Sequence, residues 1–368
     1  MNKEEIIDVI QLINSENVGP ITFYKLIDMY GSVRLALDNL HKHKKIIPFS
    51  RKKAENEFMR AQSMGVKLIC FSDELYPDNL KSLDDAPPIL YVLGNERLLQ
   101  HSFALSIVGA RNASINGRKT ASRIAFDLTN NNVLIVSGMA SGIDSAAHKG
   151  ALYAKEQYGT TIAVLGTGID VIYPQQNKAL YEQIISQGLI ISEFPLGTQP
   201  QAANFPRRNR IVAALGLGTL VVEATLHSGS LITAKMALEQ GRDIFAIPGS
   251  PNEARAAGPN KLIKDGAILV ENADDILEYL SAANQKTINR IPKASKKVQN
   301  SLFETPEKKE IINSESSILD YLNHDGVYVD EIIRESGLSA SEVAAALLDL
   351  ELDGRIERIC GNKVALIK

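Results

Sequence analysis

Two neighbouring segments of this sequence carry residues suited to holding a phosphate group. Three arginines and an asparagine stand just before an apolar helical run: Arg207, Arg208, Asn209 and Arg210. Further along, an apolar strand leads into the Ser-Gly-Ser run at Ser228–Ser230, which opens a second predicted helix. Guanidinium groups pair with phosphate oxygens, and the N-terminus of a helix favours an anion. Together the two segments predict a phosphorylated ligand.

Composition limits the classes of protein that need to be considered. The chain has 368 residues, 45% of them hydrophobic, and a formal net charge of −3. A nucleic-acid binder of this composition must concentrate its basic residues locally. Cys70 and Cys360 are far apart and have no metal-type neighbours, which predicts a reduced, cytoplasmic protein. No apolar run reaches the roughly 18 residues that span a membrane, so we expect no membrane association.

From Gly65 onward, apolar strands alternate with helical segments. Near-continuous apolar strands joined by helices are typical of a parallel sheet covered on both faces. We therefore predict an α/β fold, a doubly wound, mostly parallel Rossmann-like domain over residues 65–281. Its predicted main strands are Ala104–Val108, Val133–Val136, Thr161–Leu165, Leu189–Ser192, Thr219–Val222, Ile244–Ile247 and Ile268–Val270.

Residues 1–64 are predicted to form a helical domain of the SAM or helix-hairpin-helix type. The turn at Val18–Thr22 lies between two helical patterns and has a hydrophobic-Gly-hydrophobic centre. In a helix-hairpin-helix, the backbone N–H groups of such a turn contact a phosphate. A plain helical turn, with Gly19 supplying a positive φ, explains the pattern equally well.

The last part of the chain is predicted to hold a linker and a small domain. Residues 282–312 are basic and poor in large apolar groups, as in a flexible linker. Residues 313–368 predict three helices and a hairpin, which together make a winged helix. Its third helix carries acidic side chains at Glu342, Asp349 and Glu351 and no Lys or Arg. Phosphates repel that charge, so a protein contact or a regulatory role is favoured over duplex binding.

The loops after the predicted parallel strands are rich in glycine and serine. In open α/β sheets, ligands bind at the carboxyl ends of the strands, and a row of such loops predicts a ligand-binding edge, which we call the crest. Glycine makes tight strand-to-helix turns in any case, but that explains single loops better than all of them together. The crest loops are Gly109–Asn112, Ser137–Asp144, Gly166–Asp170, Glu193–Pro195, Ser228–Ser230 and Pro248–Ser250.

The crest does not match a nucleotide-cofactor motif. Gly166 and Gly168 begin a dinucleotide fingerprint, but Val171 takes the place of the third glycine, and no Walker-type loop is present. We therefore predict no cofactor and no metal.

Acid–base catalysis at the crest is a separate hypothesis. Asp144 and His148 stand four residues apart on one predicted helix and could face each other, and Glu193 and Glu223 lie at strand ends. A structural contact on the helix face explains the first pair more simply, so we predict no catalytic residues.

Taken together, the crest motifs resemble those of the DNA-processing protein A family, also called Smf. The motifs occur in order and cover the chain from about residue 65 to residue 279. They are Val108–Arg111, Ser137–Asp144 with Ala147 and His148, Gly166–Asp170 with Tyr173 and Pro174, Ser192–Pro195, Phe205–Ile211, Glu223 and Ala224 with Ser228–Ala234, and Pro248 with Gly249. The resemblance implies a homodimeric single-stranded DNA binder. It also implies delivery of the strand to the RecA recombinase during natural transformation, without known catalysis.

The resemblance also implies which residues contact DNA. These are Gly109, Arg111, Ser137, Gly138, Phe205, Arg207, Arg208, Asn209, Arg210, Ser228, Gly229, Ser230, Thr233 and Lys235. Single strands are held by cationic groups on the backbone and by aromatic rings under the bases. Phe205 fits the second role, although a core position is equally consistent with its place before a proline. Arg208 or Arg210 could instead pair with Glu193 or Glu223.

A nucleotide-processing enzyme, similar to the phosphoribohydrolase group of Rossmann folds, is the alternative. It would use Glu193, Glu223 or Asp144 near a ribose. The arginine cluster separates the two classes, because a mononucleotide needs one or two guanidinium groups and not a row. The few arginines at the crest also predict weak binding by one subunit, with affinity gained by assembly along the strand.

Overall fold

The computed structural model describes residues 1–154, 161–290, 321–322, 327–336, 343, 347, 350, 355–359 and 363–366. The chain divides into two compact units, Met1–Pro292 and Lys293–Lys368. None of the described helices is long and apolar enough to cross a membrane.

The N-terminal part of the first unit is helical, as predicted. Its helices are α1 (Lys3–Ile13), α2 (Pro20–Tyr30), α3 (Val33–Asp38) and α4 (Arg51–Ser63), with a short 3₁₀ helix at Leu40–Lys42. Asn2 and Glu5 cap α1 reciprocally, which fixes where this helix begins. Gly19 caps α2 with a φ of −97°, so the turn does not need glycine for a left-handed backbone. The interpretation that rests on a positive φ is therefore wrong.

Nine strands of the described chain form one sheet. They are β1 (Lys67–Cys70), β2 (Ile89–Gly94), β3 (Ala104–Val108), β4 (Leu134–Ser137), β5 (Thr161–Leu165), β6 (Leu189–Ser192), β7 (Gly218–Val221), β8 (Asp243–Ala246) and β9 (Ile268–Leu269). Their order is β1-β2-β6-β5-β4-β3-β7-β8-β9, and every pair from β6 to β9 is parallel. The doubly wound prediction is confirmed. Strands β1 and β2 extend the same sheet through antiparallel pairing.

Helices connect the strands and cover the sheet. They are α5 (Asp78–Lys81), α6 (Ile115–Asn130), α7 (Ile143–Tyr153), α8 (Lys178–Gln187), α9 (Asn204–Leu215), α10 (Gly229–Glu239), α11 (Ala257–Lys264) and α12 (Ala273–Arg290), with short 3₁₀ helices at Glu96–Gln100 and Gln175–Asn177. Strand order reverses between β3 and β7, and this switch point is where the rule for open α/β sheets places a ligand. Helix α12 continues into the segment expected to be a linker.

The N-terminal helices and the sheet share one hydrophobic core. Ile10 of α1 and Phe23 of α2 belong to the same buried cluster as Leu165 of β5 and Ile190 of β6. Each of these side chains is at most 2% exposed. The helical domain therefore shares the core on one side of the sheet, where α1 and α4 contact β1.

The described residues of the second unit include the second helix and the hairpin of the predicted winged helix, while most of the first and third predicted helices lies outside the described residues. Helix α13 (Val329–Ser336) is followed by strands β11 (Ile356–Ile359) and β12 (Lys363–Leu366), and a short strand β10 (Val327–Tyr328) pairs with β12. Ile332, Val343 and Leu347 lie in its core. The acidic residues Glu342, Asp349 and Glu351 lie outside the described residues.

Candidate functional site

A pocket of about 1030 Å³ lies at the switch point of the sheet. It is bounded by the loop after β3, the loop after β4, the start of α9 and the start of α10. Most of the predicted site residues line it: Gly109, Arg111, Gly138, Phe205, Arg208, Asn209, Ser228, Gly229, Ser230 and Thr233. Three of the six predicted crest loops, Gly109–Asn112, Ser137–Asp144 and Ser228–Ser230, thus converge on one cavity. The other three, Gly166–Asp170, Glu193–Pro195 and Pro248–Ser250, do not line it.

An aromatic and cationic stack stands at this pocket. The guanidinium carbon of exposed Arg111 lies 5.1 Å from the centroid of the Phe205 ring. The ring centroids of Phe205 and Tyr173 are 5.5 Å apart at a tilt of 43°. Phe205 is half-buried and therefore lines the surface rather than the core. Such a stack offers flat faces to a base and a positive charge to a phosphate.

The N-terminus of α10 forms a second part of the pocket. Ser228 is the N-cap residue, and its hydroxyl lies 2.8 Å from the Ser230 hydroxyl. Gly229 lies in open space, with no atom within 4 Å of the place where a Cβ would stand. Thr233 lies one turn further along and is 2% exposed. The helix dipole and these hydroxyls give the pocket an anion-accepting wall.

Arg208 lies beneath the pocket and is only 4% exposed. Its Nη1 donates to the Gly138 carbonyl at 2.5 Å and to the Val164 carbonyl, and its Nε donates to Asn209 Oδ1 at 3.2 Å. Burial lowers the pKa of Arg208 to about 10, so the guanidinium stays charged at neutral pH. The floor of the pocket therefore carries a fixed positive charge that water screens poorly.

The loop after β4 is held in shape from below. Met139 has a φ of 55°, an uncommon backbone for a residue with a side chain. Its N–H donates to His148 Nε2 at 3.3 Å, and its carbonyl accepts from Asn177 Nδ2 at 2.8 Å. The protein, not the ligand, thus fixes this loop.

His148 is a structural residue in this arrangement. Because Nε2 accepts, the ring proton sits on Nδ1 and donates to Thr161 Oγ1 at 2.7 Å. Burial lowers the pKa of His148 to about 3, so the imidazole is neutral. Asp144 instead accepts from the Ala140 N–H at 3.4 Å, and burial raises its pKa. The interpretation of Asp144 and His148 as a facing acid–base pair is therefore wrong.

Four predicted residues do not line the pocket. Ser137 is fully buried and donates to the Ile107 carbonyl at 2.6 Å. Lys235 points to solvent beside Glu239, at 3.7 Å. Arg210 is buried and its Nη2 donates to Glu193 Oε2 at 2.6 Å, as the structural alternative for Arg210 predicts.

Arg207, the fourth, lies on another side of α9, with its guanidinium carbon 5.2 Å from the Phe194 ring centroid. It lines a separate cavity of about 450 Å³ together with Gly19 and Pro20 of the N-terminal turn. The prediction of a row of arginines at the crest is therefore wrong. Successive residues of a helix point in different directions, so the three arginines of α9 do not line one surface.

The two glutamates considered for catalysis are both engaged in holding the fold. Glu223 accepts from the Ser114 N–H at 2.8 Å and from the Ser114 hydroxyl at 2.5 Å, at the start of α6. Glu193 pairs with Arg210, and burial raises its pKa. Of the acid–base candidates, Asp144 lines the pocket.

Three pocket residues were missed as site candidates. Tyr173 belongs to the stack, Asn112 follows Arg111, and Arg255 lies on the loop after β8. The Nε of Arg255 donates to the Asn112 carbonyl at 2.7 Å, which ties the two crest loops together. Each follows a parallel strand, so the same switch-point rule would have found them.

The fold and the pocket define a class: a Rossmann-like domain with a glycine-rich, cationic switch-point site, joined to a helical domain and a winged helix. The family model for DNA recombination-mediator protein A matches residues 67–281. The models for the DprA-like N-terminal HHH domain and the DprA winged helix domain match residues 3–59 and 305–362. The chain belongs to the DNA recombination-mediator protein A family.

Similar proteins come from several bacteria. Protein Smf of Escherichia coli is 39% identical over 89% of this chain and 84% of its own length. The crystal structure of DNA processing protein A from Streptococcus pneumoniae has a TM-score of 0.60 and 34% identity, over 75% of this chain and 95% of that one. The structure of DNA processing protein A from Helicobacter pylori, described for its single-stranded DNA binding mode, has a TM-score of 0.53 and 30% identity. The match covers 59% of this chain and 97% of that one.

Proposed function

We propose that this protein binds single-stranded DNA at the crest pocket and delivers the strand to a RecA-type recombinase during natural transformation. In this proposal it works in the cytoplasm as a homodimer and carries out no catalysis. Family membership and the Helicobacter pylori relative's binding mode support the DNA-binding step.

The observation that carries the proposal is the stack of Arg111 on Phe205 at the edge of the pocket. A flat ring with a guanidinium at 5.1 Å can receive an unpaired base and its phosphate together. Paired bases in a duplex are already stacked on their neighbours and cannot occupy this ring. The geometry therefore supports a preference for single strands.

The engaged glutamates support a binding role over acid–base catalysis. Glu223 holds Ser114, the N-cap residue of α6, and Glu193 neutralises Arg210, so removing a proton from a substrate would cost each its structural partner. The large pocket and the buried positive charge of Arg208 suit a polyanion that passes through the site. They suit a single enclosed nucleoside less well.

Fluorescence anisotropy with labelled single- and double-stranded oligonucleotides tests the proposal across a salt series. Arg111→Ala should lower single-strand affinity at least tenfold, because it removes both a phosphate contact and a stacking partner. Arg97→Ala is the matched control, since Arg97 is also exposed and lies outside the pocket lining. Free mononucleotides should not displace the strand.

Displacement by a mononucleotide at modest concentration, or equal affinity for duplex, would shift the assignment to a nucleotide-processing enzyme. The delivery step needs its own assay, in which RecA nucleation on strands already coated by a single-strand-binding protein is timed with and without this protein. Light scattering at increasing concentration tests the homodimer.

A further inference from the structure

A second groove lies between α6 and α7, outside the crest pocket. It has a volume of about 540 Å³. Four cationic side chains stand along it: Arg118, Lys119, Arg123 and Lys149. Among the described residues that line this groove, none is acidic.

The groove also exposes large apolar side chains. Ile115 is 65% exposed, Phe126 is 37% exposed and Tyr153 is 75% exposed, and all three line it. Large apolar groups exposed together in one groove mark an interaction site more often than isolated ones do. Aromatic rings among cationic groups are the combination that binds single-stranded nucleic acid.

The floor of the groove is narrow because the two helices touch. A Cβ on Gly150 of α7 would lie 2.7 Å from the carbonyl carbon of Ser122 of α6, so glycine permits this approach. The backbones of α6 and α7 are therefore close at this point, and the longer side chains of both helices line the groove beside it. The result is a channel with a small-residue floor and cationic rims.

This groove begins where the crest ends. Ser114 caps α6 directly after the loop that carries Arg111, and Gly142 caps α7 directly after the loop that carries Gly138. The Ile143 N–H donates to the Ala110 carbonyl at 3.2 Å, which joins the two helix starts. From Ile115 to Phe126 the groove follows α6 for about 16 Å, at about 1.5 Å per residue.

We propose that the groove between α6 and α7 is a second single-stranded DNA subsite, which receives the strand as it leaves the crest pocket. This inference rests on the proposed function and adds the path of the strand to it. Lys119, Arg123 and Lys149 contact phosphates, while Phe126 and Tyr153 stack on bases.

Charge decides the occupant of this groove. A second copy docked by the same face would bring two sets of four cations together, and the nearby carboxylate of Asp127 already pairs with Arg123 at 3.8 Å. A duplex would leave the exposed rings of Phe126 and Tyr153 without unpaired bases. A single strand satisfies both the cations and the rings.

The test compares short and long oligonucleotides on the full chain. The triple variant Lys119→Gln, Arg123→Gln, Lys149→Gln should bind a strand of about 40 nucleotides roughly tenfold more weakly than the wild type, with a salt slope smaller by about 2. Its affinity for a strand of about 8 nucleotides, which the crest can hold alone, should change less than about twofold. A control triple variant, Arg97→Gln, Lys178→Gln, Lys264→Gln, removes the same charge from exposed positions elsewhere.

Three outcomes separate the groove from the crest. Length-dependent loss in the groove variant and not in the control supports the subsite. Unchanged binding of the long strand by the groove variant overturns it, while Arg111→Ala still reports on the crest. If both triple variants lose the same affinity for the long strand, the loss comes from the lower net charge of the protein. That result also overturns the proposed subsite.

Photocrosslinking locates the bound strand by a measurement that does not depend on the net charge of the protein. A long strand carrying 5-iodouracil should crosslink to Tyr153 or Phe126, and Tyr153→Ser should remove the Tyr153 adduct. Because Tyr153 is 75% exposed, this substitution leaves the fold intact. Crosslinks confined to the crest would overturn the proposed path.

Discussion

The guanidinium of Arg111 lies over the ring of Phe205, 5.1 Å from its centroid, although the two residues are 94 positions apart in the sequence. One residue follows β3 and the other begins α9. The pair therefore forms only when the two halves of the doubly wound sheet are assembled, and it lies at their junction.

A double-mutant cycle should show that this pair acts as a unit. Arg111→Gln and Phe205→Leu should each weaken single-strand binding, and the coupling energy should be about 0.5–2 kcal/mol. Each substitution removes the surface that orients the other side chain. The measurement is anisotropy of the wild type, both single variants and the double variant. Strictly additive losses would show that the two side chains act separately.

Glycine at position 138 should be required for the pocket floor. A Cβ there would lie 2.5 Å from the guanidinium carbon of Arg208, which is buried and donates to the carbonyls of Gly138 and Val164, so the guanidinium would have to leave these partners. Gly138→Ala should lower the free energy of unfolding by about 1–3 kcal/mol and weaken DNA binding. Gly229→Ala, also in the pocket, meets nothing within 4 Å and should leave stability unchanged. Urea titration of both variants measures the two free energies of unfolding. Equal stability of the two variants would contradict the close approach of Gly138 to Arg208.

Arg210 should matter for folding and not for DNA. Its side chain is 8% exposed and that of its partner Glu193 is 5% exposed, so Arg210→Ala leaves a buried carboxylate with only the more distant Arg207, at 3.9 Å. The expected loss is about 3–5 kcal/mol in the free energy of unfolding. Replacing both residues, as Arg210→Met with Glu193→Leu, should cost less than the single change. A folded Arg210→Ala protein that binds DNA much more weakly than the wild type would place Arg210 in the interface.

His148 should make the protein sensitive to acid. Its pKa in the folded chain is about 3, below the ordinary 6.5, so the unfolded chain binds a proton first as the pH falls. Stability from this group is therefore lost from pH 6.5 downward, by about 1.4 kcal/mol per pH unit. Asp144, whose pKa burial raises, acts in the opposite direction.

The difference between the wild type and His148→Gln isolates the histidine. The variant should be less stable at pH 7, where it loses the bonds to Met139 and Thr161. The gap between the two proteins should narrow by about 2 kcal/mol at pH 5. A gap that stays constant between pH 7 and pH 5 would mean that His148 is not buried in its neutral form.

The amino-acid sequence was sufficient to predict the strands and the edge of the sheet at which a ligand binds. Apolar runs such as Ala104–Val108 are buried at every residue, and the loops after them meet because parallel strands end at one edge. The amino-acid pattern therefore predicts the three crest loops that line the pocket, while the family resemblance supplies the individual DNA-contacting residues. The position of Gly229 at a helix start follows from its neighbours in the same way.

The arginines of α9 could not be assigned by that reasoning alone. Arg207, Arg208 and Arg210 are close in sequence, but each residue turns the helix by about 100°, so they face a separate cavity, the pocket floor and Glu193. The helical period does identify one of them. Ile211 and Leu215 mark the buried stripe, and Arg208 lies on it three residues before Ile211.

The buried cluster that joins Ile10 and Phe23 to Leu165 and Ile190 has a consequence for how the chain can be cut. A fragment that starts at residue 65 would expose the apolar side chains of this cluster that α1 and α4 cover beside β1, and such a surface self-associates. The helical domain and the sheet should melt in a single cooperative transition, with equal calorimetric and van't Hoff enthalpies. The N-terminal helices are thus part of one thermodynamic body with the sheet, and a recombinant fragment that is meant to keep the sheet soluble must begin at residue 1.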